Sequence, residues 1–170
     1  MAANEGAARS ASSYGSNGML TKKAKYGLKA MVHLAGVRPG ETALVADIAA
    51  SNHIPKKFLD AILGELRNAG FVHSKKGKGG GYMLARPPED IGVGNIVRVL
   101  DGPLAPIQCA SKTVYRRCDD CVDETRCAVR LVMLRAREAI AEVLDKTSLE
   151  QMRRLGASGD DVHQLVGAEA

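Results

Sequence analysis

The residues best equipped for chemistry in this 170-residue chain lie in one short stretch. The four cysteines, Cys109, Cys118, Cys121 and Cys127, follow the pattern C-x8-C-x2-C-x5-C, and no cysteine occurs elsewhere. Cysteines placed for packing would scatter through a core rather than share one segment. Residues 1–18, MAANEGAARSASSYGSNG, hold no apolar run of the ~7 to 15 residues that a secretory signal needs. A disulfide framework is therefore disfavoured, and metal ligation or thiol redox chemistry is expected. Zinc would more usually show two paired motifs, and here only Cys118 and Cys121 form such a pair. Ligands that need only converge from an irregular loop suit an iron–sulfur cluster. Thiol redox switching, zinc and inert thiols remain the other readings of the same residues. Arg116, Arg117 and Arg126 would favour the thiolate, the form that binds metal. Asp119, Asp120, Asp123 and Glu124 crowd negative charge beside it.

A second set of candidates is basic. Residues 1–100 hold 14 Lys/Arg against seven Asp/Glu, whereas residues 101–170 hold 10 against 12, so the whole net charge of +5 comes from the first part of the chain. Such one-sidedness is a statement about partners and points to a polyanion. Three lysine groups stand out as candidates: Lys22 and Lys23 with Thr21, Lys56 and Lys57 beside Phe58 and Asp60, and Lys75, Lys76 and Lys78 in a glycine-rich run.

The elements that must position these groups follow from periodicity. With 45% apolar and 25% charged residues the chain has a globular composition, and no stretch approaches the ~20 apolar residues of a membrane span. Its length suits one domain, or a small head with a helical extension. Aromatics make up 4% and Trp is absent, so the core must be Leu, Val, Ile, Ala and Met, which favours helices. Apolar spacing predicts a first helix over about 20–36 and a second from about Leu44, capped at or near Thr42. A third runs from Ile54 and Pro55 to Asn68, with Phe58, Leu59, Ile62, Leu63 and Leu66 inward. Two helices joined by a tight turn, the second opening on PKK, form a helix-turn-helix pattern.

Short strands at 71–74 and 82–85 flank KKGKGGG, a hairpin with a basic tip. The run lacks the third glycine of a dinucleotide loop, and a strand follows where a helix should. A bare turn is one reading of this run. A wing is the stronger one: its glycines let the backbone approach a phosphate ridge while its lysines neutralise phosphates. A short helix over 93–100 follows, then the irregular cysteine segment. The longest helix spans 128–146, about 28 Å, with Leu131, Leu134, Ile140, Val143 and Leu144 in a stripe. A stripe that long beside so small a head predicts an isologous dimer through this helix, in preference to packing back on its own head. Ser148 opens a last short helix to Leu155.

The segments MLTKKAKYGLKAM (19–31), IPKKFLDAIL (54–63), LRNAGFVHSKKGKGGGY (66–82) and VRVLDGPLAP (97–106) resemble the Rrf family of winged-helix repressors, over about Met19 to Leu155. The resemblance implies a cytoplasmic homodimer on a palindromic double-stranded DNA operator. It further implies base contacts at Lys57, Phe58 and Asp60 and a wing contact at Lys76. Family members often carry an iron–sulfur cluster in the loop before the long helix, which makes such a cluster, two-iron in preference to four-iron, the expected cofactor on Cys109, Cys118, Cys121 and Cys127. The chain departs from the family pattern at the non-cysteine ligand, since the positions that supply it in relatives fall at Arg130 and Lys25. A cluster-free thiol regulator of cysteine metabolism is the alternative within the family.

The expected fold is therefore mainly helical with one small hairpin: a tail over 1–18, a winged helix-turn-helix head over 19–92, cysteine loop and dimerisation helices over 93–155, and a second tail over 156–170. A thiol oxidoreductase would need its CxxC in a βαβ setting, and here the motif lies between helices. His33, His53, His73 and His163 are dispersed over separate elements. No enzymatic function is expected.

Overall fold

The computed structural model describes residues 19–158. Helix α1 (Lys22–Ala35) begins where Thr21 accepts a hydrogen bond from the Ala24 N–H at 3.3 Å, and it buries Ala24, Leu28, Met31 and Leu34. Gly27 sits where α1 crosses the later helix α4 (Val93–Asp101). A Cβ there would run into the Leu100 side chain and lie 3.3 Å from Ile62 Cγ2, so the glycine permits the close approach.

Helix α2 (Val45–Asn52) and helix α3 (Lys56–Asn68) meet at a turn in which His53 takes the left-handed conformation, with φ 54° and ψ 45°. The expected cap of α2 at Thr42 does not form. Leu44 stands at the cap position without a side-chain bond, and Thr42 reaches the hairpin instead. On α3, Leu59, Ile62, Leu63 and Leu66 are fully buried, as the 3.6-residue period requires. Phe58, expected inward, is 40% exposed and lies edge-on to Tyr26, with ring centroids 5.9 Å apart. It precedes the buried row by one residue, which turns it out of the core.

Strands β1 (Val72–Lys75) and β2 (Gly81–Leu84) pair antiparallel from Val72 opposite Leu84 to Lys75 opposite Gly81. Ala43 adds a single bridge to Tyr82, with N–H···O bonds of 2.9 and 2.8 Å. The core continues past residue 92. Ile96, Val97 and Leu100 of α4 join the cluster of α1 and α3, and so does Leu149 from helix α6 (Leu149–Ala157). Backbone bonds from Val93 N–H to Thr147 (3.0 Å) and from Leu149 N–H to Ile91 (2.8 Å) stitch the α6 corner to the head. Ser148 and Gln151 cap α6 reciprocally.

Helix α5 (Ala128–Lys146) keeps its expected bounds but is open: Arg137 is its one buried residue, while Val129, Leu131, Val132 and Val143 are exposed. Its C-terminal end is tied to α4 by Arg98, whose two amino groups donate to Asp145 at 2.6 and 2.8 Å. Among the described residues no helix is long and apolar enough to cross a membrane. Of the expected tails over 1–18 and 156–170, residues 1–18 and 159–170 lie outside the described residues, whereas residues 156 and 157, expected in the second tail, belong to α6.

Candidate DNA interface and cysteine loop

The three lysine groups emerge from different elements of the head. At the start of α3, Lys56, Lys57, Phe58 and Asp60 are all exposed, and the helix has no side-chain cap. Its first N–H groups point where a phosphate is favoured by both hydrogen bonding and the helix dipole. In the hairpin tip Lys75, Lys76 and Lys78 are exposed. Gly77 and Gly79, with φ of 89° and 75°, make the turn that only glycine adopts without strain.

The α1 group is less free than its sequence suggests. Lys22 is exposed, but Lys23 pairs with Glu65 of α3 at 3.1 Å. Thr21 caps α1, and its backbone N–H donates to Asp101 at 2.8 Å while its hydroxyl donates to the same carboxylate. Asp101 ends α4, next to Gly102, where the chain leaves the head for the cysteine segment. Sequence reasoning missed the roles of Asp101 and Glu65 and gave Thr42 a different one. A lone carboxylate or hydroxyl carries no periodic signal, and its partner lies far away along the chain.

The cysteine segment is held by arginine. Arg130, on the first turn of α5, donates from Nε to the Cys109 carbonyl at 2.9 Å and from Nη1 to the Glu124 carbonyl at 3.1 Å, and its guanidinium lies 5.8 Å from the Tyr115 ring centroid. Its own N–H donates to Cys127 Sγ at 3.5 Å, so Cys127 caps α5. The Arg116 N–H reaches the Gln108 carbonyl at 3.4 Å and draws the Cys118 side of the loop back toward Cys109. Cys109 is buried in a short 3-10 turn (Gln108–Ala110), Cys118 is exposed, and Cys121 and Cys127 are half-buried; all are free thiols.

The Cys118 thiol is pushed up from its ordinary value, first by its hydrogen bond with Cys109, then by desolvation and by nearby Cys109, Asp120 and Cys127. This corrects the expectation that the neighbouring arginines favour the thiolate there. Arg117 turns instead to the carbonyls of Cys121 and Val122, at 2.8 and 3.2 Å. Tyr115 donates to the Glu124 carboxylate, and that bond raises the Tyr115 phenol. Among the described residues no three His, Cys, Asp or Glu side chains are gathered closely enough to hold a metal ion. The loop thus brings Cys109 toward Cys118 and Cys127, and it does not assemble all four thiols.

A recognition helix with an open basic N-terminus, a lysine-tipped wing and a helical core across α1, α3 and α4 define a winged helix-turn-helix DNA-binding protein. The Rrf2 family, described as an iron-dependent transcriptional regulator, matches residues 20–154. The chain belongs to this family. It is 41% identical over 141 residues to an rrf2-like protein of Rhodobacter capsulatus, covering 81% of this chain and 94% of that one. To the regulator CymR of Bacillus subtilis it is 34% identical over 133 residues, 78% of this chain and 88% of that one. The solved structure of CymR, titled as the global cysteine regulator, superposes with a TM-score of 0.67 at 33% identity over 80% of this chain and 96% of that one. The IscR structure from T. potens gives 0.64 at 30% identity over 84% and 90%. The protein is a DNA-binding transcriptional regulator.

Proposed function

We propose that the chain is a homodimeric repressor that binds a palindromic operator and senses iron–sulfur, redox or nitric oxide status through the cysteine segment. The observation that carries this reading is where that segment sits. It leaves the head at Asp101, beside the α1 cap, and ends at Cys127, the cap of the exposed apolar helix α5. A second copy would cover the exposed α5 face, and the pose of each head on that seam would set the half-site spacing, about one DNA turn in a dimer of this kind. A state change in the segment therefore acts on the joint between reading head and dimer helix. A bias of only ~1.4 kcal/mol there alters operator affinity tenfold.

Soft thiolates on one polar segment fit an iron–sulfur cluster in donor type, with Cys109, Cys118, Cys121 and Cys127 as its holders. Binding would draw the thiols together and order the loop in the same step. When bound, the cluster supplies reactivity toward oxidants and nitric oxide that the side chains lack. The residues of the chain do the rest: Arg130 anchors the Cys109 and Glu124 carbonyls, and Cys127 joins the loop directly to α5. At the DNA, Lys57, Phe58 and Asp60 would read bases while Lys22, Lys56, Lys75, Lys76 and Lys78 neutralise phosphates. Thr21 and Lys23 would hold α1 through Asp101 and Glu65.

The test is anaerobic purification followed by visible absorption, iron and sulfide assay, and DNA binding by single Cys→Ser variants. The expected result is a coloured protein that bleaches and changes operator affinity together at each true ligand. Colourless, iron-free protein whose four-serine variant binds and responds as the parent does would overturn the cluster reading.

A further inference from the structure

The wing of this protein is fastened at a point that neither strand supplies. Its hairpin is four residue pairs long, and a two-stranded hairpin of that length has little stability of its own. A third segment, residues 42–43, lies along β2. Ala43 exchanges both backbone hydrogen bonds with Tyr82, at 2.9 and 2.8 Å. One residue nearer the tip, the Thr42 hydroxyl lies 2.9 Å from the Gly79 carbonyl and 3.1 Å from the Gly80 carbonyl. Those two carbonyls belong to the turn that carries Lys75, Lys76 and Lys78.

The glycines make this fastening possible. A Cβ on Gly80 would stand 2.6 Å from the Lys75 carbonyl oxygen and 2.8 Å from that of Gly77. One on Gly81 would stand 2.7 Å from the Ala43 carbonyl carbon. The tip is thus a tight coil pressed against the 42–43 segment. Thr42 is the side chain that joins the two, through a hydroxyl that the sequence pattern had assigned to a helix cap.

We propose that Thr42 is the positioning residue of the wing. By sharing its hydroxyl proton between the Gly79 and Gly80 carbonyls it holds the lysine-bearing tip in the one pose in which Lys75, Lys76 and Lys78 meet a phosphate backbone. The proposal rests on the wing being a DNA contact, as in the function proposed above. Without the hydroxyl, two carbonyls lose their shared donor and the tip samples poses in which its lysines point elsewhere. The cost of ordering it then falls on DNA binding.

The experiment compares Thr42→Val, which keeps the shape and removes the donor, with Thr42→Ser, which keeps the donor. Both are made in the parent and in a Lys75→Ala/Lys76→Ala/Lys78→Ala background, with circular dichroism confirming the fold. The first readout uses no DNA: limited trypsin digestion of the parent-background proteins, with cut sites located by mass spectrometry. Cleavage after Lys75, Lys76 and Lys78 should be several-fold faster in T42V and unchanged in T42S. The second is affinity for a mixed-sequence 30-base-pair duplex, because phosphate contacts are independent of sequence. T42V should weaken binding about fivefold in the parent and not at all in the triple-alanine background, while T42S leaves it unchanged.

Tip cleavage in T42V at the parent rate overturns the fastening. An equal loss of affinity in both backgrounds overturns action through the wing lysines. If the triple-alanine protein binds DNA as the parent does, the wing is no phosphate contact and the role given to Thr42 in binding falls with it. Faster tip cleavage in T42V would then still identify the fastening, so the two failures are told apart.

Discussion

In the head, Leu59, Ile62, Leu63 and Leu66 of α3 are completely buried where α3 packs on α1, α2, α4 and β1, whereas α5, the longest helix, buries only Arg137 and exposes Leu131, Val132 and Val143. Both helices are rich in Leu and Val, so composition does not separate them. What separates them is company: α3 is surrounded by elements of its own chain, and α5 touches the head through α4 and the 3-10 turn at Gln108–Ala110. Burial of apolar area is what stabilises a helix of this size in water, so the head carries its own stability while α5 and its loop depend on what is added to them. A DNA reader needs a fixed shape, and the buried core of the head supplies one.

The largest effect should come from breaking the head. Leu63→Ala removes a fully buried side chain and should lower the unfolding free energy by about 2–5 kcal/mol in a thermal or urea melt. Val143→Ala, at a site 65% exposed, should change it by no more than about 0.5 kcal/mol. Similar losses at the two sites would erase the contrast between the regions.

Charge on α5 attacks the other side of the comparison. Leu131→Asp with Val132→Asp would leave unpaired charge at an apolar seam and should raise the dimer dissociation constant by about a hundredfold, roughly 2.8 kcal/mol, in sedimentation. The melt of the head should be little changed. A parent that sediments as a monomer at micromolar concentration would refute the seam.

Two smaller changes probe the joints. Asp101→Ala removes both carboxylate oxygens to which Thr21 donates and should cost about 1–2 kcal/mol of stability, read in the same melts, with α1 loosened at its N-terminus. His53→Gly, at the left-handed turn residue between α2 and α3, should raise stability by up to about 1 kcal/mol, because glycine carries no Cβ penalty there. A loss on that change would mean that the His53 side chain contributes more than its backbone strain costs.

The smallest effect is electrostatic and lies on the Arg98–Asp145 tie between α4 and α5 and on ion pairs within α6. Arg98 holds the Asp145 carboxyl below its ordinary value, and Arg153 with Arg154 lowers Glu150 to about 2. A carboxyl depressed in the folded state stabilises it above the unfolded value and loses that contribution as pH falls through the folded value. Stability should therefore be level from neutrality to about pH 4.5 and decline between there and about pH 2. Asp145→Asn, followed by thermal melts across that range, should make the decline shallower. Screening of these partly exposed pairs keeps the change small.

Much of the architecture was legible in the chain, and for reasons that differ between elements. The bounds of α5 and the buried row on α3 follow from helical periodicity, which is a local property of the sequence. The basic hairpin followed from its glycines and lysines, displaced by a residue in the strands. The cap of α2 was misplaced because Thr42 competes for two roles, and the wing offers its hydroxyl two carbonyls where the helix offers one N–H. Phe58 was expected inside because apolar character alone cannot tell a core residue from one at the rim beside Tyr26.

The sequence by itself thus determined the helices, the wing, the excess positive charge of the reading head and the confinement of the cysteines to one segment, since each depends on residues close together along the chain. The tertiary structure alone decided that Thr21 meets Asp101, that Lys23 is neutralised by Glu65, that Arg130 draws Cys109 to the root of α5, and that α4 and α6 complete the head. These are contacts between residues tens of positions apart. They form only after the hydrophobic core has fixed the helices against one another, and no local pattern of residue types encodes where that packing will bring a hydroxyl, a carboxylate or a thiol.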